Sequence, residues 1–156
     1  MARPPPTAVA ATLGDTPDEL EAQFYEALQH ADLERLMAVW ADDDDIVCVH
    51  PGGGSFIGAG AIRASFEGVF GNGGGIPVVP EQVHRLQHLG AAVHHLVERI
   101  TVTGQQGQQT AWVLATNVYV KTVLGWRLLA HHASPGTPQG PHERPAADGD
   151  TPTTLH

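Results

Sequence analysis

Apolar residues recur first at helical and then at strand spacing along the chain. Thr16-Pro17-Asp18-Glu19 forms a capping box, with a hydroxyl at the N-cap, proline at the first helical position and acids where the helix dipole favours them. Leu20, Phe24, Ala27, Leu28 and Ala31 then share one face. Asp32 caps a second, short helix that buries Leu33, Leu36, Met37 and Trp40, and the run Asp42 to Asp45 ends it as a solvated turn. Ile46 to His50 reads as a strand stopped by Pro51 and the glycines after it. Ala59 to Phe70 returns to helical period with Ile62, Phe66 and Phe70 on one side, and Gly71 to Gly75 reads as a flexible break. Four strands follow, over Val78–Leu89, Ala91–Thr103, Thr110–Lys121 and Trp126–Ser134. Short turns join the last three, so an antiparallel meander is the expected pairing. Helices first and strands after make an α+β pattern: a cone-shaped, curved antiparallel sheet covered by three N-terminal helices around an apolar pocket.

Composition narrows the partners. The 156 residues suffice for one domain, and prolines crowd both ends. The division expected is a disordered arm over 1–15, a folded domain over 16–134 and a disordered tail over 135–156. Lys and Arg number 8 against 17 Asp and Glu, which offers no basic stripe for nucleic acid. The uncharged run Ile46 to Ile62 is broken by Pro51 and several glycines, so no membrane span is expected, and the opening residues lack the apolar stretch of a signal peptide. A single cysteine, Cys48, fits a reducing, cytoplasmic setting.

Several short motifs then fall in a telling order: Tyr25-Glu26-Ala27-Leu28 with Ala31-Asp32-Leu33, Trp40-Ala41-Asp42-Asp43, Val49-His50-Pro51-Gly52, Gly58 to Arg63, Ala115-Thr116-Asn117-Val118-Tyr119, and Gly125-Trp126-Arg127 leading to His132-Ala133-Ser134. With the order of elements, they resemble the nuclear-transport-factor-2-like superfamily, in its ketosteroid-isomerase-like and SnoaL-like branch, over Leu20 to Ser134. The resemblance implies a cone-like, usually dimeric fold with an apolar pocket between helices and sheet. In the ketosteroid-isomerase branch an aspartate before a proline moves a proton at carbon, assisted by a first-helix tyrosine and a late-strand aspartate. The matching places here are His50 before Pro51, Phe24 with Tyr25 turned elsewhere, and Asn117. All three positions are altered, so the pocket is read on its own chemistry.

His50 suits a general base, because imidazole titrates near working pH. Asn117 can donate a neutral hydrogen bond to a developing oxyanion. The bland alternatives are that His50 satisfies a buried carbonyl and that Asn117 pins a neighbouring strand. Adjacent His131 and His132 split across the sheet; the motif at His132 and Ser134 puts His132 toward the pocket, with the His131 face as the other option. Phe24, Trp40, Phe66 and Trp112 are core residues first and pocket lining second. Glu98 is expected to pair with Arg85, Arg99 or Arg127 or to face a partner; buried in the pocket it becomes a second acid or base with a raised pKa. His84 and His88, at i,i+4 spacing, stand about 13 Å apart on a strand, so no metal and no cofactor is expected.

The expectation is a small-molecule-binding domain with an apolar pocket for a hydrophobic or aromatic compound. The alternative is an isomerase, cyclase or dehydratase that moves a proton at carbon, with His50 as base. A homodimer is expected from the resemblance and from Val93, Val97 or Val113 on the outer sheet face.

Overall fold

The computed structural model describes residues 14–137, so most of the arm over 1–15 and of the tail over 135–156 lies outside the described residues. Helix α1 spans Pro17–His30, and Thr16 Oγ1 caps it by accepting from the Glu19 amide at 3.1 Å. It ends at Ala31 in the left-handed region (φ 54°). Asp32 Oδ1 then accepts from the Arg35 amide at 3.1 Å and opens α2, Leu33–Ala38. After the exposed acidic turn come β1 (Val47–Val49), β2 (Ser55–Ile57), and α3 (Ala59–Gly73). The long strands are β3 (Val78–Gln87), β4 (Ala91–Gly104), β5 (Gly107–Thr122) and β6 (Gly125–Pro135).

The sheet runs in the order β2-β1-β6-β5-β4-β3. The β3 to β6 meander is antiparallel as expected. Three features differ from the sequence reading. The turn after His50 closes a hairpin with the unforeseen strand β2, and β1 lies parallel to β6, so the sheet is mixed. The stretch read as a flexible break is helical through Gly73, because α3 continues where its apolar face ends.

Two bulges bend the sheet, one in β3 between Glu81 and His84 and one between Val118 and Tyr119 on β5 and their β6 partners. The sheet curls around α1, which is why this helix buries a wide arc including Glu21 and Tyr25 as well as Leu20, Phe24 and Leu28. Gly75 passes directly over the end of α1: a Cβ there would stand 2.0 Å from the Gln29 carbonyl oxygen. The next amide, of Ile76, donates to Leu28 O at 2.9 Å, which fixes the start of β3 against the mouth of the cone.

Candidate functional site

A cavity of about 60 Å³ opens between α1, α3 and the inner sheet face; His50, Phe66, Ile76, Glu98, Ile100 and His131 are among the residues around it. His50 follows β1 and is fixed through its backbone, donating from its amide to Gly54 O and accepting from the Gly53 amide at 2.9 and 2.8 Å. Its half-buried ring lies against Phe66 and Phe56, with centroids 4.9 and 5.5 Å away. Burial lowers its pKa, so the ring is neutral at neutral pH. Its Nε2 meets Ser65 Oγ at 2.9 Å, and that hydroxyl gives its one proton to Ile62 O at 2.7 Å. Ser65 therefore accepts from His50 Nε2–H, and the basic lone pair sits on Nδ1.

A buried chain of polar groups links sheet and helix. His131 Nδ1 donates to Asn117 Oδ1 (2.5 Å), Asn117 Nδ2 donates to Tyr25 Oη (3.2 Å), and Tyr25 donates to Glu98 Oε2 (2.7 Å). Burial pushes the Glu98 carboxyl up to about 7, against the opposing pull of the Tyr25 hydrogen bond. Burial, with the neighbouring His50 and His132, depresses His131 to about 3, so it stays neutral. Tyr25 is pushed well above its ordinary value, first by burial and then by Glu98. The Cys48 thiol, raised to about 12 by burial, is unreactive at neutral pH.

The structure brings His50, Phe66 and Glu98 to the cavity, with Asn117 behind it. Phe24 is buried behind the wall, 5.0 Å from the His131 ring. Three expectations are corrected. His132 faces outward and His131 faces in, because the bulge inserts Leu129 between the partners of Val118 and Tyr119 and reverses the alternation after Leu128. Trp112 lies on the outer face, opposite Arg99, while its neighbour Val113 points inward beside Glu98. Trp40 lines larger grooves outside the cone instead of this cavity. Tyr25, assigned away from the pocket, is buried in the polar chain, and Ser65 escaped notice although it neighbours the Ile62 and Phe66 face of α3. Among the described residues Glu98 pairs with no arginine: Arg99 pairs with Glu81 and Arg85 with Asp18.

Elsewhere His94 Nδ1 meets Glu21 at 2.6 Å, and His95 meets Thr116. Among the described residues no group of three or more His, Cys, Asp or Glu side chains is placed to hold a metal ion.

The SnoaL-like domain family matches residues 18–138. The chain belongs to this family, within the nuclear-transport-factor-2-like superfamily. A protein from Thiobacillus denitrificans, described as a candidate calcium/calmodulin-dependent protein kinase type II association domain, is 33% identical over 80% of this chain and 98% of its own, with TM-score 0.73. A candidate dehydratase of the NTF2-like family from Streptomyces avermitilis is 30% identical over 76% of this chain and 92% of its own, with TM-score 0.67. An NTF2-like protein of unknown function from Pseudomonas putida is 21% identical over 84% and 89%, with TM-score 0.67, and supports the fold alone. No curated protein matches the chain. Among the described residues no helix is long and apolar enough to cross a membrane.

Proposed function

We propose that this SnoaL-like domain binds the polar end of a small apolar carbonyl compound in the His50–Glu98 cavity and moves a proton at its carbon. The observation that carries this reading is a pair of titratable groups lining one small, mostly apolar cavity, a histidine kept neutral and a carboxyl raised to about 7. His50 Nδ1 takes the proton. Glu98, protonated, serves the developing oxygen, while Tyr25 and Asn117 hold its carboxyl in place. A volume of about 60 Å³ admits the reactive end of a molecule and not a polycyclic one. Binding without turnover is the second reading, favoured by the Tyr25 hydrogen bond that already engages Glu98. No metal or cofactor enters either reading. The single buried Cys48 accords with a reducing cytoplasm.

The test is deuterium incorporation from solvent into small enones and β-hydroxy ketones, followed by NMR. His50→Gln should cut exchange roughly a hundredfold with affinity nearly unchanged. The pH profile of kcat/KM should be a narrow bell. It rises as His50 loses its proton below pH 6.5 and falls as Glu98 ionises near 7. Exchange that survives His50→Gln contradicts the assignment.

A homodimer is part of the same proposal. The outer face carries half-buried Val93, Trp112, Leu114 and Val118 around the buried Val97, with His95, Arg99 and Thr116 among them. The Thiobacillus protein, described as an association domain, supports self-association through the shared fold.

A further inference from the structure

A groove of about 570 Å³ lies outside the cone, between the Trp40–Asp43 segment and the β5–β6 hairpin. Its volume falls in the roughly 300–1,000 Å³ range of small-molecule sites. The segment is tied down by backbone bonds, Leu128 N to Val39 O (2.8 Å) and Ala41 N to Leu128 O (2.9 Å), so the wall is rigid. Arg127 lines the groove and is only 7% exposed. Its Nη1 donates to the Trp126 carbonyl at 2.8 Å, and among the described residues it makes no ion pair. Gly14 sits against it, where a Cβ would come within 2.8 Å of Nη1. A guanidinium removed from water without a counter-charge is costly, and buried cations are ordinarily paired. Burial alone lowers its pKa, with no anion to oppose the effect, yet it stays charged.

Val120, Leu124 and Leu129 supply apolar lining beside this cation, and the exposed Asp42 and Asp43 line the groove's rim. We propose that the groove is a second binding site, for an organic acid with a single carboxylate on Arg127 and an aliphatic body along Val120, Leu124 and Leu129. A fork of donors suits a carboxylate. The two rim aspartates select against a second negative charge. The site is separate from the His50–Glu98 cavity and does not depend on it.

The probe is octanoate, compared with octanol, octylamine and the matched dicarboxylate suberate, and followed by methyl chemical shifts of the full chain. Octanoate should move Val120, Leu124 and Leu129 saturably and leave Ile76 and Ile100 of the central cavity in place. Arg127→Gln should weaken it about tenfold or more. Leu124→Asp, at a position 70% exposed where folding is insensitive, should weaken it too. Suberate should bind less well. Octanol or octylamine binding as tightly as octanoate, an unchanged affinity in Arg127→Gln, or shifts confined to Ile76 and Ile100 would each overturn the proposal.

Discussion

Glu98 stands between Val97 and Arg99 on a strand otherwise poor in acids, and its position alone turns an ordinary surface residue into the main titrating group of the interior. Its folded pKa, about 7, is raised above the ordinary carboxylate value, so the sign of its linkage is fixed. The native state favours the protonated carboxyl, and the stability it contributes is complete below the unfolded pKa and lost as pH rises through 7. Glu98→Gln, neutral at every pH, should therefore be more stable than the parent at pH 8, on the order of 3 kcal/mol, and lose that advantage below about pH 4.5. Melting temperatures of both proteins across that range check it. A difference that does not vary with pH would contradict the burial of an ionisable carboxyl. The sequence made Glu98 and His50 legible because each is a rare type in its segment. It hid Tyr25, since an apolar face drawn through Leu20, Phe24 and Leu28 leaves position 25 on the flank, and only the curl of the sheet buries that flank.

At the scale of elements, caps and periodicity carried most of the fold. Thr16 and Asp32 cap α1 and α2 as their residue types require, and the four long strands begin and end within a few residues of the pattern. What period alone does not reveal is a bulge. One extra residue, Leu129, moves His131 into the cone and His132 out of it, and nothing in the local types of β6 marks that insertion. The hairpin strand β2 was hidden for a related reason. Its three residues, Ser55–Ile57, follow a glycine run that reads as a loop, and they become a strand only by pairing with β1. The close pass of Gly75 over α1 belongs to the same class of feature, since a glycine in a glycine-rich stretch gives no sign that it lies against a backbone carbonyl.

For the whole molecule, the proposed dimer rests on the outer sheet face. Leu114 on β5 pairs across from Val97 on one side and Ser134 on the other, on the outer surface of the sheet. A dimer that joins two such faces buries Leu114 in a desolvated centre, where a charge costs several kcal/mol, about enough to dissociate a micromolar complex. Light scattering at micromolar concentration should give twice the chain mass for the parent and the single mass for Leu114→Glu. A monomeric parent would contradict the dimer.

The proposed chemistry needs a neutral imidazole base and a carboxyl that titrates near neutrality in one cavity. The most direct measurement is an NMR titration of the Glu98 side-chain carboxyl carbon together with the His50 ring nitrogens. The expected result is a Glu98 midpoint at about 7, a His50 midpoint below 6.5, and a His50 Nε2–H tautomer held by Ser65. A Glu98 midpoint in the usual carboxylate range, near 4, or a His50 proton on Nδ1, would contradict it.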